Sequence, residues 1–231
     1  MNLGVYITLK NDDIFIADVI KPVAEVFPQV KIIDLESTDN SIEEVKKTGV
    51  PYTIHKDING EGFTNLKNFY SKKHDWVVWI DSDEIYPVFS LLRMKELIES
   101  GNNAVINWPV NKRTFIPYEY RKTVRCSWQL IREENGELFI ANELRMNGHK
   151  AFDSRLYTFI DPWPAEVLYG NEHLKGSKKI DNGVWCWHAV LLDRSSTGDY
   201  GQRNKKRQGK LAEYIPQYEW LKINQFPWRI L

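Results

Sequence analysis

Cysteine is scarce in this sequence. Its 231 residues contain only Cys126 and Cys186, far apart and each in apolar or aromatic company. With no CxxC pair and no ladder of cysteines, neither a disulfide framework nor a zinc knuckle is indicated, and two buried free thiols in a reducing compartment are expected. Long apolar runs are missing as well. No stretch approaches the roughly 18 residues a spanning helix needs, so no membrane span is expected. The segment Met1 to Lys10 opens on a strand-like run, without the charged start, apolar middle and small-residue cleavage site of a secretory leader. The expected location is the cytoplasm. Nor is there an excess of one charge: Lys+Arg and Asp+Glu both number 31. Phosphate neutralisation supplies much of the affinity for nucleic acid, so a balanced chain argues against that partner. Finally, no Pro/Gly/Ser linker divides the chain, which is expected to form one domain. Within it the pattern divides into residues 1–100, residues 101–195 and a basic, aromatic terminal segment (196–231).

Strong secondary-structure signals fill the first hundred residues. Leu3–Leu9 (LGVYITL) reads as a buried strand, followed by a helical pattern from about Asp12 to Val26. Val30–Asp34 reads as a second strand and Ser41–Thr48 as a short helix with Ser41 at its N-cap. Tyr52–His55 is a weak third strand, and Phe63, Leu66, Phe69 and Tyr70 recur at helical spacing. Trp76–Ile80 (WVVWI) is apolar throughout, as a central parallel strand should be, and a helix is expected over Val88–Ser100. This alternation predicts an α/β fold with a mostly parallel sheet flanked by helices. Beyond Gly101 the pattern changes to a smaller, mixed β region, with strands expected at Val105–Val110, Val124–Ile131, Leu138–Ile140, Arg155–Ile160 and Val184–His188.

Ligands of open parallel sheets bind beyond the carboxyl ends of the strands. There the sequence places Thr8-Leu9-Lys10-Asn11, then Asp34 through Asn40, then Asp81-Ser82-Asp83-Glu84. The last is the sharpest signal. An apolar strand running straight into clustered carboxylates brings together charges that repel and call for a cation. Hard carboxylate oxygens suit Mg²⁺ or Mn²⁺, either of which can bridge to a diphosphate.

Three of these segments together resemble family 2 glycosyltransferases. VKIIDLESTDNS is similar to that family's second strand and loop, YITLKNDDIFIADVI to its opening strand, asparagine and helix, and DWVVWIDSDEIYP to its D-x-D region. The resemblance covers roughly the first 90 residues. It implies the GT-A fold, with residues 1–100 binding a nucleotide-diphosphate sugar donor, a UDP-sugar being expected, and 101–195 the acceptor and catalytic half; it also implies a divalent metal, inversion at the anomeric carbon, and a saccharide, lipid-linked or protein hydroxyl acceptor.

By position, Thr8 and Asn11 would line the nucleotide pocket and Asp34 would lie near the base or ribose. Asn68 would support the donor. Asp81 would approach the ribose, and the metal through water, while Asp83 would bind the metal directly. Leu35 departs from the pattern, standing where relatives carry an aspartate that reads uracil. A late histidine often completes such a metal shell, and His188, ending an apolar run, is the candidate; imidazole favours Mn²⁺. The other four histidines (His55, His74, His149 and His173) are expected at the surface or in structural roles.

Downstream of His188, the basic stretch with Arg203 and Lys206, joined by Tyr200, is either a solvated helix face or a segment that folds over the pyrophosphate. Inversion needs a base for the acceptor hydroxyl. Glu166 is the first candidate and Glu143 the second, with Asp161 and Asp153 behind them. Trp108, Trp163 and Trp185 are core residues or shape the sugar sites. Two other classes compete with this reading. A sugar nucleotidyltransferase would carry a glycine-rich loop after the first strand, where this chain has TLKNDD. A non-catalytic, metal-dependent carbohydrate-binding module would be mostly antiparallel β.

Overall fold

The computed structural model describes residues 1–56, 58, 60–100, strands between 105 and 188, and 194–197; from 105 to 188 it describes backbone, plus the Val184 and Cys186 side chains. Four helices and thirteen strands are present among the described residues. They run β1 (Leu3–Leu9), α1 (Ile16–Val26), β2 (Lys31–Asp34), α2 (Ser41–Thr48), β3 (Tyr52–Ile54), α3 (Gly60–Ser71), β4 (Trp76–Asp81), β5 (Glu84–Ile85) and α4 (Val88–Glu99). The later strands are β6 (Val105–Asn107), β7 (Asn111–Ile116), β8 (Leu130–Glu134), β9 (Glu137–Ala141), β10 (His149–Asp153), β11 (Thr158–Ile160), β12 (Val167–Tyr169) and β13 (Trp185–His188).

The central sheet has the order β3-β2-β1-β4-β10-β6. Strands β3, β2, β1 and β4 are parallel, and β10 lies antiparallel between β4 and β6. This is the expected mostly parallel α/β sheet with helices on its faces. A mixed sheet, β5-β13-β7-β9-β8, and a β11-β12 pair make up the β region.

Both faces of the central sheet are covered because its strands are apolar on both. Val5, Ile7, Leu9, Val78 and Ile80 pack with Ile16, Val19, Ile20 and Val23 of α1, Val45 of α2, and Leu91, Met94 and Ile98 of α4. Burial of α1 at 16, 19, 20 and 23 follows the helical repeat of one stripe. The opposite face, built on Tyr6, Ile33, Val77 and Trp79, packs under Leu66, with Phe63 and Tyr70 of the same helix beside it. Burying one Leu- or Ile-sized side chain contributes about 1.5–3 kcal/mol, so the central strands carry much of the stability.

Several sequence expectations shift. Helix α1 starts at Ile16 rather than near Asp12, because residues 12–15 form a turn in which the Asp12 carbonyl accepts from Phe15 and Ile16. Ser41 is the first residue of α2 and not its N-cap, which is Asn40. The Ser41 N–H donates to Asp39 Oδ1 at 2.9 Å, while the Ser41 hydroxyl accepts from the Asp12 N–H at 2.9 Å. Strands β5, β7, β10 and β12 were not expected. Residues 124–129, within an expected strand, lie outside the described residues.

Gly4 illustrates how closely this sheet is packed. A Cβ on Gly4 would fall well inside contact distance of the His74 ring. That ring is fixed by Tyr6 Oη on Nε2 at 2.6 Å and Asn2 Oδ1 on Nδ1 at 3.0 Å. Gly4→Ala is therefore expected to destabilise by about 1–3 kcal/mol. Urea unfolding should show a lower midpoint with unchanged slope; an unchanged midpoint would contradict the close approach.

Candidate functional site

At the carboxyl end of the parallel strands, Thr8 and Asp81 face each other in register, and the Thr8 hydroxyl donates to Asp81 Oδ1 at 3.3 Å. After Asp81 the chain turns immediately, with the Ser82 N–H on the Thr8 carbonyl at 3.1 Å. The turn leads into β5, where the fully buried Glu84 accepts from the Tyr86 hydroxyl at 3.2 Å. Asp81, Asp83 and Glu84 each offer an oxygen within 4.8 Å of the others. Asp83 is itself buried, at 6% exposure. Three carboxylates so close, two of them out of water, repel unless a cation lies among them.

A fourth carboxylate, Asp12, adjoins this group from the turn before α1 and is completely buried. Its partner is Arg194. The guanidinium grips Asp12 at both oxygens, through Nε to Oδ1 and through Nη2 to Oδ2 at 2.6 Å, and reaches Asp83 Oδ2 from Nη1 at 2.9 Å. The Ser82 hydroxyl also donates to Asp12. Burial works against charge on Arg194, but Asp83, Asp12 and Asp81 outweigh it and hold the guanidinium above its ordinary value. Burial pushes the Asp12 carboxyl up, opposed by Arg194, while the neighbouring Asp83 charge pushes it further up.

The segment carrying Arg194 is stitched to the same loops. Its carbonyl accepts from Ile14 N–H at 3.1 Å, and the Ser196 N–H donates to Asp13 Oδ1 at 2.7 Å. Asp39 also lies at this junction. Burial raises its carboxyl, yet hydrogen bonds from Ser195 and Ser41 and from the backbone N–H groups of Ser41 and Asp13 bring it below its usual value.

The loops after β1 and β2 hold each other. Asn11 Oδ1 accepts from Thr38 N–H at 2.7 Å, and the Asn11 N–H donates to Ser37 Oγ at 2.9 Å. Asn11 and Glu36 both adopt positive φ, at 54° and 59°. Asparagine tolerates that region, whereas glutamate there is held by its surroundings.

The structure thus brings Thr8, Asp81 and Asp83 to one strand edge and Asn11 to the loop beside it. Asp34 is fully buried and accepts from both the N–H and the hydroxyl of Ser37. Leu35 packs beside the Tyr6 and Trp79 cluster. Asn68 falls in the last turn of α3, which leads into the start of β4, at the other edge of the sheet from Asp81.

Backbone register sets His188 opposite Glu84. Asp153 pairs with Trp76, five residues along β4 from Asp81 and about 16 Å away at strand rise. Glu143, Asp161, Glu166, Tyr200, Arg203 and Lys206 lie outside the described residues, as do Trp108 and Trp163. His55 and His74 have structural partners, His55 bonding the Tyr70 hydroxyl at 3.0 Å. Cys186 is buried, and Cys126 lies outside the described residues. Among the described residues, no helix is long and apolar enough to cross a membrane.

Asp12 and Arg194 escaped the sequence reading. Asp12 stands at the start of an expected helix, and Arg194 sits in LLDRSS with no motif around it. Only the topology unites them.

No protein-family model matches the sequence, and no curated protein matches it. Among solved structures, the chain is similar to S. aureus TarS 1-349, at 16% identity and TM-score 0.46, covering 69% of this chain and 50% of that one. The TarS complex with UDP aligns at 17% identity and TM-score 0.45 over the same shares, 69% and 50%. Glucosyl-3-phosphoglycerate synthase from Mycobacterium tuberculosis, in complex with Mn²⁺, UDP-glucose and phosphoglyceric acid, aligns at 13% identity and TM-score 0.45, covering 92% of this chain and 79% of that one. The chain therefore spans about half the length of the TarS structures it resembles.

Proposed function

We propose that this chain is a metal-dependent glycosyltransferase that moves a sugar from a nucleotide-diphosphate donor to a hydroxyl acceptor. The observation that carries this reading is the grouping of Asp81, Asp83 and Glu84 within 4.8 Å at the carboxyl edge of a parallel sheet. The donor set fits a hard divalent cation: all three groups are carboxylates, and the charge they bring exceeds what the single guanidinium of Arg194 offsets. Asp83 would hold the cation with Asp81 and Glu84, and His188, opposite Glu84 in register, would complete the set. Nitrogen from an imidazole would favour Mn²⁺ over Mg²⁺. Such an ion offsets charge developing on a diphosphate leaving group.

The chain's own residues would do the rest. The loops pinned by Asn11, Ser37 and Thr38 would form the floor on which the nucleotide lies. UDP is the first donor to test, by family resemblance. Base reading would have to come from groups other than Asp34 and Leu35, which are bonded to Ser37 and packed in the core margin. Arg203 follows Thr197 by six residues, at most roughly 20 Å of extended chain. Tyr200, Arg203 and Lys206 would thus be within reach of the diphosphate, excluding water and offsetting charge. Glu166, or failing it Glu143, would take the proton of the acceptor hydroxyl, giving inversion.

The test is calorimetric titration with uridine, guanosine and thymidine diphosphate sugars, in Mn²⁺ and in chelator. One diphosphate sugar should bind tightly with Mn²⁺, and chelator should weaken it by tenfold or more. Pyrophosphate release from a sugar phosphate and a nucleoside triphosphate would instead identify a nucleotidyltransferase. Metal-dependent glycan binding without any donor binding would identify a carbohydrate-binding module.

A further inference from the structure

We infer that Arg194 is an internal counter-cation that competes with divalent metal for Asp83, so that the site accepts a metal–diphosphate complex in preference to the bare ion. The inference rests on the metal reading proposed above and concerns what Arg194 does to it. Its guanidinium is bonded at 2.9 Å to Asp83, one of the three carboxylates grouped closely enough to share a cation. The same guanidinium is anchored by Asp12 at both oxygens and is drawn further by Asp81.

Four carboxylates, Asp12, Asp81, Asp83 and Glu84, meet here, and Asp12 and Glu84 have no exposed surface. Without a positive charge among them the cation-free protein would hold several like charges out of water, which is costly. Arg194 supplies that charge permanently, since a guanidinium does not lose its proton in proteins. The same charge repels an arriving cation, and at this range and outside bulk water the repulsion is substantial. A dication that arrives carrying two or more negative phosphate charges does not meet this barrier, because the complex as a whole is not cationic. The guanidinium is then a donor available to phosphate oxygens. Backbone bonds at Ile14 and Ser196 hold the segment in place independently of the Arg194 side chain, so its charge can be removed without releasing the chain.

The decisive experiment measures Mn²⁺ binding without nucleotide, by electron paramagnetic resonance and calorimetry, on the whole chain and on Arg194→Met. Arg194→Met is expected to bind bare Mn²⁺ at least tenfold more tightly. It should melt lower than the unsubstituted protein in chelator and gain more in melting temperature from Mn²⁺. Unchanged or weaker Mn²⁺ binding by the variant would overturn the inference. Should Arg194→Met be unfolded in chelator, the titration is read by circular dichroism: folding restored by Mn²⁺ supports the counter-cation role, and failure to restore it in millimolar Mn²⁺ overturns it. Two failures are separable. If the unsubstituted chain binds neither Mn²⁺ nor any Mn²⁺–donor pair, the metal reading falls and takes this inference with it. If it binds donor with Mn²⁺ but the variant shows no gain for the bare ion, only the role of Arg194 falls.

Discussion

Asp83→Ala is expected to abolish Mn²⁺-dependent donor binding and to cut sugar transfer by about a thousandfold or more. The figure corresponds to about 4 kcal/mol of lost charge stabilisation at the leaving group, within the several kcal/mol a Lewis-acid metal supplies. Asp83 stands between two cationic claims. Its Oδ2 accepts from Arg194, and its carboxylate belongs to the group with Asp81 and Glu84. Removing it leaves Arg194 still gripped at both oxygens of Asp12, so the fold should survive with a modest loss of stability. That separation makes the variant informative: the metal function is lost while the ion pair remains. Asp83→Asn, which keeps the shape but not the charge, should behave nearly as badly. Turnover within tenfold of the unsubstituted protein, with chelator sensitivity retained, would place the cation elsewhere. A rise in KM alone would mean Asp83 serves donor binding without stabilising the transition state.

The carboxylates at the strand end were legible in the sequence because two local signals coincide. WVVWI is short, β-branched and aromatic, as a strand buried on both faces should be, and the structure alternates Trp76, Val78 and Ile80 to one core with Val77 and Trp79 to the other. Where such a strand stops, polar residues must emerge at the sheet edge, so Asp81 and Asp83 could be located without any tertiary information. Apolar patterning likewise marks β1 and β2 as strands and the segment up to Val26 as helical. It failed where position depends on long-range pairing. His149–Asp153 joins the central sheet beside β4, whose residues lie some seventy positions earlier, and no periodicity in HKAFD announces an antiparallel neighbour. The N-cap of α2 differs from the sequence expectation for a related reason. Ser41 has the chemistry of a cap, but its hydroxyl is taken by the backbone of Asp12, which only the packing of α1 against α2 brings near. Arg194 is the extreme case, separated from Asp12 by 182 positions. A lone arginine in an otherwise unremarkable turn carries no local mark of burial.

The Asp12–Arg194 pair is where the largest stability effect is expected. Asp12→Ala should destabilise the cation-free protein by about 3 kcal/mol, the lower part of the range for breaking a buried pair, because Asp83 remains as a partner for the guanidinium. Arg194→Met should cost more, toward about 5 kcal/mol, since the completely buried Asp12 then keeps only the Ser82 hydroxyl from this network and faces Asp83 without a counter-charge. The double variant is expected to be no worse than Arg194→Met and to recover part of its loss, because removing both charges also removes the penalty of burying either alone. Chemical unfolding of the four proteins in chelator would give the interaction energy, expected to be at least about 3 kcal/mol in favour of the pair. Additive losses would mean that Asp12 and Arg194 support the fold through separate contacts. The sign of the metal effect completes the argument. Loss of Asp12 leaves the positive charge to lean on Asp83 and should weaken bare Mn²⁺ binding, whereas loss of Arg194 should strengthen it. The two variants therefore agree in lowering stability and disagree in cation affinity, a combination that simple disruption of the loop would not produce.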